Sequence, residues 1–122
     1  MQKRITIQSA HVNNNKLTLT VSEDISGFIP GSHILSDSDQ FSFIYLMEKE
    51  EEYTYIIIPE VFWPILKESL RADAKAVLQH NHDEIELTLF KEELEYLISN
   101  IKGNGNYGEK MIEKVESLFG DF

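Results

Sequence analysis

Two apolar segments in the middle of the chain, residues 41–47 and 53–58, constrain the fold more than any other feature. Both are rich in aromatic and β-branched residues and are apolar on both faces, as expected of central strands that are covered on both sides. Five consecutive charged residues, 48–52, join them, and like charges at such a tip resist edge-to-edge pairing. The sequence therefore predicts an antiparallel hairpin at the centre of a sheet.

Alternating apolar and polar residues predict two further hairpins. One joins residues 4–9 to residues 16–21 through the asparagines at 13–15, and the other joins residues 74–80 to residues 84–89 through a turn at 81–83. Residues 22–31 are predicted to form a loop because Gly27 and the Pro30-Gly31 pair interrupt them. A short strand is expected at 33–35, before a turn at 36–39.

Helical spacing of apolar residues predicts three helices after the central hairpin. The first runs from Pro59 to about residue 70, or begins at Pro64; the C-terminal pair occupies about residues 90–119 and turns tightly at residues 103–108. The order of elements favours one α+β domain over residues 1–122. Its antiparallel or mixed sheet is built from hairpins, and one central and two C-terminal helices pack on it.

Composition limits the classes of function. The net charge is −10, so direct binding to nucleic acid or to anionic lipid is disfavoured. The chain has no cysteine, which excludes thiolate chemistry and fits the cytoplasm. The first residues pass directly into a strand pattern and no apolar run is long enough to span a membrane, so we expect a soluble, unexported protein.

The best metal-binding candidate is the turn that contains His80, His82 and Asp83. Residues two apart in a strand project to the same face, so both imidazoles could reach one ion beside the carboxylate. The alternative is a polar turn with two solvated histidines, which we favour because no second ligand cluster accompanies it. No cofactor is predicted.

Three further segments could form an interaction or ligand surface. Asp37 and Asp39 resemble the opening of a calcium loop, but the required glycine is missing, so a turn stabilised by local hydrogen bonds is preferred. Trp63 could anchor a contact, although burial in the core is the commoner role of such a residue.

The third segment is the glycine- and asparagine-rich joint before the last helix. Asn104, Asn106 and Tyr107 could present amides and a hydroxyl to a ligand there. Backbone geometry alone also explains these residues, since Gly and Asn accept a positive φ in tight turns.

The turn at residues 36–41, Pro59 followed by Trp63, and above all residues 90–94 and 100–108 resemble the YjbL-like proteins. These are short cytoplasmic proteins of low-GC Gram-positive bacteria that form an uncharacterised family. The resemblance covers residues 36–119, and the run Asn-Ile-Lys-Gly-Asn-Gly-Asn-Tyr-Gly is its most specific part. It implies a bacterial cytoplasmic protein and supplies no activity, cofactor or catalytic residue.

No complete catalytic motif is present, so the leading hypothesis is a non-enzymatic protein-binding or adaptor module. We expect another protein with a basic surface as the partner, because opposite charges accelerate encounter. A homo-oligomer is a further possibility that the sequence leaves open. A first alternative is a small-ligand or metal-binding protein, or a hydrolase-like enzyme, that uses Asp37 and Asp39 with His33 or with the His80/His82 pair. A second alternative is an acidic mimic of nucleic acid.

Overall fold

A computed structural model describes residues 3–122, in which eight strands form two four-stranded sheets. The first sheet has the strand order β1-β6-β5-β4, and the second has the order β2-β3-β7-β8. The strands are β1 Lys3–Thr6, β2 Ser9–Asn13, β3 Lys16–Thr20, β4 Ile29–Asp37, β5 Ser42–Lys49, β6 Glu52–Pro59, β7 Lys75–His80 and β8 Asp83–Glu86. Together with three helices they give the predicted α+β class, and both sheets are mixed.

The central hairpin is confirmed. Strands β5 and β6 pair antiparallel from Ser42 opposite Pro59 to Lys49 opposite Glu52. Glu50 and Glu51 make the turn with φ values of 53° and 66°, the left-handed pair that matches the twist of a two-residue hairpin. The predicted hairpin formed by β7 and β8 is also confirmed, although β8 ends at Glu86, three residues earlier than predicted.

The first predicted hairpin is wrong in its first strand. Residues 4–9 do not form one strand: β1 pairs parallel with β6 in the first sheet, and β2 pairs antiparallel with β3 in the second. The chain changes sheets at Ile7, whose N–H bonds the Ile57 carbonyl, and at Gln8, whose N–H bonds the Thr20 carbonyl. Because alternation continues through both short strands, the sequence alone does not reveal the change.

Strand β4 is longer than predicted and includes part of the expected loop. Its register with β5 shifts between Pro30 and Ile34, which marks a β-bulge. Gly31 is needed there, because a Cβ on it would lie 2.8 Å from the Leu46 carbonyl oxygen. Ser32 follows in the left-handed region with a φ of 55°. The bulge lets a Pro-Gly pair, which reads as a turn in the sequence, remain part of a strand.

The helices are α1 Trp63–Arg71, α2 Phe90–Ile101 and α3 Glu109–Phe119. A short 3-10 helix at Glu60–Phe62 precedes α1, and Pro64 lies in the first turn, where its missing N–H costs little. Another 3-10 helix, Gly105–Tyr107, connects α2 to α3. No helix in residues 3–122 has both the length and the apolar character that a bilayer crossing requires.

One main core joins both sheets and all three helices. Its largest fully buried side chains include Trp63, Tyr45, Phe43 and Phe119. The Trp63 and Phe43 rings stack with centroids 4.4 Å apart, so α1 is fixed directly on β5. Along β5 and β6, the residues that face this core alternate with residues whose side chains point away from it.

Candidate functional site

The first sheet has an outer face, formed by side chains that point away from the main core. Ile44, Leu46 and Ile57 form a separate buried apolar cluster there, with Leu35 and Tyr55 packed against it. Cross-strand register explains the grouping, since Leu35 lies opposite Ile44, which lies opposite Ile57. No helical residue belongs to this cluster among residues 3–122.

Two large apolar side chains on the same face are open to solvent beside the acidic hairpin tip. Ile29 and Tyr53 are 61% and 46% exposed, and both lie opposite Glu48 in the strand ladder. The tip itself, Glu50 and Glu51, follows directly. At this end the outer face therefore combines exposed apolar area with concentrated negative charge.

A polar cleft of about 510 Å³ lies at the other end of the outer face. Asp37 and Asp39 line it together with Arg4, whose Nη2 is 3.5 Å from Asp37 Oδ2. Asp37 Oδ1 also accepts the N–H groups of Asp39 and Gln40 at 3.0 and 3.1 Å, which confirms the locally bonded turn. The cleft holds a guanidinium facing carboxylates, an arrangement that could bind a polar group carrying both charges.

The guanidinium of Arg4 also stabilises the outer face. Its central carbon lies 5.7 Å from the centre of the Tyr55 ring, within the range of a cation–π contact. Because Tyr55 packs against the apolar cluster, Arg4 connects the cleft to that cluster. Arg4 was not predicted as a site residue, since a lone arginine at the start of a strand carries no motif.

A groove of about 330 Å³ runs between strand β4 and helix α2. One wall is β4, the outermost strand of the first sheet, and the other is the ridge of α2 that carries Glu93 and Tyr96. His33 Nδ1 lies 2.8 Å from Glu93 Oε1 and bridges the two walls. The ring of Tyr107 also lines the groove. His33 and Tyr107, which lie 74 positions apart in the sequence, therefore meet in one groove.

The hydroxyl of Tyr45 fixes the bulge of β4 beside this groove. It donates to the Thr88 carbonyl at 2.7 Å and accepts the Ser32 N–H at 3.2 Å. The hydroxyl oxygens of Ser32 and Thr88 also bond each other. Burial raises the pKa of Tyr45 above its ordinary value. The hydroxyl of Ser32 is thus occupied in holding the bulge in place.

The turn predicted as a metal site gains no geometric support. His80 Nδ1 lies 3.1 Å from the Val21 carbonyl oxygen, so this imidazole links β7 to the end of β3. Asn81 and His82 form the two-residue hairpin turn between His80 and Asp83. Across residues 3–122, no group of three or more His, Cys, Asp or Glu side chains is placed to share an ion.

Trp63 is buried in the core and is not exposed as a contact anchor. Its side chain is 1% exposed, and its indole N–H donates to the Ile58 carbonyl at 3.3 Å. The joint before α3 is a local structure as well, because Asn104 Oδ1 accepts the Asn106 N–H at 3.1 Å. Of the three residues predicted there, Tyr107 lines the groove, while Asn104 and Asn106 are not among its lining residues.

The helical wall of the groove is formed by Glu93, Tyr96 and Asn100, none of which was predicted from the sequence as a site residue. A signal was present for Tyr96. The buried residues of α2 follow a helical stripe, and Tyr96 falls outside it with 66% of its surface exposed. An exposed tyrosine outside the apolar stripe of an amphipathic helix is a recognisable candidate for a contact residue.

The fold defines a small α+β protein with two mixed sheets, the first of which has an outer face with its own apolar cluster. The family model for UPF0738, a family of unknown function, matches residues 5–119. The chain belongs to this family.

Relatives match over nearly the full length. A UPF0738 protein of Bacillus velezensis is 45% identical over 121 residues, covering 98% of this chain and 99% of the relative. The UPF0738 proteins of Bacillus licheniformis and of a Geobacillus species are 42% and 39% identical to this chain. Both matches cover 98% of this chain, and they cover 99% and 98% of the respective relatives. The predicted resemblance to an uncharacterised bacterial family is thereby confirmed, whereas the name YjbL, under which it was predicted, is not tested. No solved structure matches the chain.

Proposed function

We propose that the protein is a non-enzymatic, protein-binding module of the bacterial cytoplasm, and that its partner presents basic residues around an apolar patch. The observation that carries this proposal is the outer face of the first sheet. It has its own apolar cluster, two exposed apolar side chains at one end, and a hairpin tip rich in glutamate beside them.

The size of this face suits a stable contact. Three strands of eight or nine residues and one of four, spaced about 4.8 Å apart, present roughly 450 Å² of flat area, more than half of the ~800 Å² that one partner buries in a standard interface. Tyrosine side chains dominate the energetics of many interfaces, and the face supplies Tyr53 and Tyr55.

Charge selects the kind of partner. The net charge of −10 and the glutamates at positions 48 and 50–52 favour a basic surface and repel an acidic one. Such steering weakens as salt screens the charges, so the association rate should fall with ionic strength. A second copy of this acidic chain is disfavoured for the same reason.

The experiment is site-specific photo-cross-linking in living cells, with the photoreactive amino acid at Tyr53. The control places it at Lys110, an exposed residue at the start of α3. We expect a defined protein to be cross-linked from Tyr53 and not from Lys110. After purification of that protein, Tyr53→Ala should weaken binding about tenfold, whereas Lys110→Ala should leave the affinity unchanged.

Equal cross-linking from both positions, or an affinity that Tyr53→Ala does not change, would refute the proposal. Cross-linking of the chain to itself would also contradict it, because the occupant of the face would then be a second copy.

The polar cleft favours a second candidate, the binding of a small charged molecule. Arg4 and Asp37 could hold the carboxylate and the ammonium group of one zwitterion. A thermal-shift screen with the free amino acids would test this. An amino acid that raises the Tm of the wild type should no longer raise it in Arg4→Gln. A Tm shift that persists in this variant counts against the candidate, and so does a screen in which no amino acid raises the Tm.

The charge distribution gives the nucleic-acid mimic no support. Carboxylates pair with cations around the molecule, as in the ion pairs of Lys3 with Glu23, Lys16 with Glu84, and Lys114 with Glu60. A mimic would need carboxylates gathered on one face at the spacing of phosphates.

A further inference from the structure

The apolar part of the outer face of the first sheet has the dimensions of a single helix. Resting on the proposed protein-binding function, we infer that this face receives one amphipathic helix of the partner, and that a lysine or arginine of this helix binds Glu48 between Ile29 and Tyr53. The inference names the element of the partner that is recognised and the place where its charge is bound.

The outer face of the second sheet provides a comparison within the same molecule. The residues that point away from the core on that sheet are mostly polar, with His11, Thr18, Val77 and Glu86 in one cross-strand row and Ser9, Thr20, Gln79 and Glu84 in the next. A sheet with one face in water ordinarily shows this pattern. The first sheet carries Leu35, Ile44 and Ile57 in one row and Leu46 and Tyr55 in the next. This departure favours a cover that another molecule supplies.

The apolar strip on the first sheet crosses three strands and three rows. The row of Ile44 is the first, and two rows further along Ile29 and Tyr53 lie on either side of Glu48. Three strands about 4.8 Å apart span roughly 10–14 Å, and rows about 6.6 Å apart give a length of about 13 Å, or about 20 Å with the side chains at both ends. A helix with its side chains is about 10–12 Å wide, and 20 Å corresponds to about 13 residues. A pair of helices would be about twice as wide as the strip.

The other side of the same strand already packs on a helix. Phe43 of β5 stacks on Trp63 of α1 with the ring centroids 4.4 Å apart. A helix on the outer face would therefore complete a helix–sheet–helix sandwich, one of the few layered arrangements by which a sheet buries both faces.

Glu48 gives the face a specific charge-binding position. It lies in the last row between Ile29 and Tyr53, and no salt bridge within residues 3–122 involves it. A lysine or arginine can lay its methylene stem along the two apolar neighbours and place its charge on the carboxylate. Covered by the helix, this pair is less screened than a pair on an open surface. Glu50 and Glu51 at the hairpin tip attract the same cation at longer range.

The geometry also specifies the sequence of the helix. One helical turn advances about 5.4 Å, which is close to the ~6.6 Å between rows, so each turn can place an apolar residue on one row. The fitting helix has apolar residues at positions i, i+3, i+4 and i+7 and a basic residue one turn beyond them.

The test uses a fluorescent peptide of about 14 residues with leucines at this spacing, lysines one turn beyond, and alanine and glutamine elsewhere. A staple on its polar side keeps it helical, since isolated helices shorter than about 12–15 residues are marginal in water. The control peptide has the same composition and staple, but its leucines are distributed around the helix. Binding to the full chain is measured by fluorescence anisotropy at physiological salt. We expect saturable binding of the first peptide and at least about tenfold weaker binding of the control.

Two pairs of protein variants locate the contact. Glu48→Gln should weaken binding about fivefold, whereas Glu51→Gln, the same loss of charge at the exposed hairpin tip, should have an effect below about twofold. Ile29→Ser should weaken binding about fivefold. Its control is Leu89→Ser at the start of α2, because Leu89 is 53% exposed and Ile29 61%, and neither is needed for the core.

Nuclear magnetic resonance of isotope-labelled protein gives an independent location. The peptide should shift the amide signals of β5 and β6 and leave those of Thr18 and Val77, on the outer face of the second sheet, unchanged. Equal shifts on both sheets would contradict the inference.

Equal binding of the two peptides, equal effects within either pair of variants, or no binding of the first peptide would each overturn the inference. These outcomes leave the proposed function standing, because cross-linking from Tyr53 tests for a protein partner whatever element the partner presents. Outer-face signals that move with protein concentration in the absence of peptide would overturn the inference as well, since the occupant would then be a second copy of the chain.

Discussion

Replacement of Tyr45 by phenylalanine tests the hydrogen-bond network that fixes the bulge of β4. The substitution keeps the ring, which stacks on Phe90 with centroids 5.9 Å apart, and removes only the hydroxyl. The Thr88 carbonyl then loses its donor at 2.7 Å, and the Ser32 N–H loses its acceptor at 3.2 Å. Tyr45 is fully buried, so the hydroxyl is replaced by empty space rather than by free water.

The expected cost follows from these two bonds. Each contributes about 0.5–1.5 kcal/mol net, and a buried group left unpaired costs about 1–3 kcal/mol. Ser32 and Thr88 are only partly buried, so water can recover a share of the loss. We therefore expect Tyr45→Phe to lower the free energy of unfolding by about 1–2 kcal/mol, which corresponds to a fall in Tm of roughly 4–8 °C for a chain of this size.

Urea unfolding followed by circular dichroism measures this change. Tyr53→Phe is the matched control: Tyr53 is 46% exposed, and its hydroxyl takes part in none of the side-chain hydrogen bonds identified within residues 3–122. The control should change the free energy of unfolding by less than about 0.5 kcal/mol. If the two variants are equally stable, the network does not hold the bulge and the reasoning is refuted.

Four further predictions concern pH, the core, the last turn and metal binding. Burial raises the folded pKa of Tyr45, so the contribution of this residue to stability should be complete below the ordinary value of 10.0 and be lost as the pH rises through the folded pKa. Above pH 10, the free energy of unfolding of Tyr45→Phe should therefore fall less steeply with pH than that of the wild type. Trp63→Ala should lower the free energy of unfolding by about 3–5 kcal/mol in urea titrations, because the side chain is fully buried. Gly108→Ala should cost about 1–3 kcal/mol, since Gly108 has a φ of 86°, whereas Gly105→Ala, with no atom within 4 Å of the new Cβ, should be nearly neutral by the same assay. Zinc should leave Tm unchanged; a rise in Tm that His82→Ala abolishes would revive the metal hypothesis.

The central hairpin and the C-terminal helices could be predicted because local signals agree with the tertiary structure. Apolar residues on both faces of β5 and β6 match a sheet with a core on one side and a second apolar cluster on the other. The stripe from Phe90 to Ile101 matches the buried side of α2, and the helix has the predicted bounds. In these segments burial and local preference favour the same structure.

The parallel pairs and the full length of β4 could not be predicted, because they depend on distant contacts. The pairing of β1 with β6 joins residues about fifty positions apart, and no local pattern specifies it. The bulge in β4 depends on a tyrosine hydroxyl from β5 and a carbonyl from residue 88. Leu89 shows the same effect: it continues the alternation of a strand, but it adopts a φ of 59° and is the N-cap residue of α2.

The candidate surfaces were only partly visible in the sequence for a related reason. Asp37, Asp39 and Tyr107 could be identified because polar or glycine-rich turns surround them. Their neighbours Arg4 and Glu93 are ordinary charged residues in a strand and a helix, and they become notable only when the fold places them opposite these turns. A site assembled from several elements has no spacing in the sequence by which to recognise it.

The Tyr45 network also connects the stability of the fold to the shape of the groove between β4 and α2. The bulge that it holds sets the residue at which regular pairing of β4 with β5 resumes. Loosening the bulge would let residues 30–33 move, and the imidazole of His33 bonds Glu93 across the groove. Tyr45→Phe should therefore raise the hydrogen-exchange rates of the amides of residues 32–36 more than those of β6, although Tyr45 lies in the core and does not line the groove. A variant that loses stability while the amides of both segments respond equally would show that pairing with β5 alone sets the register of β4.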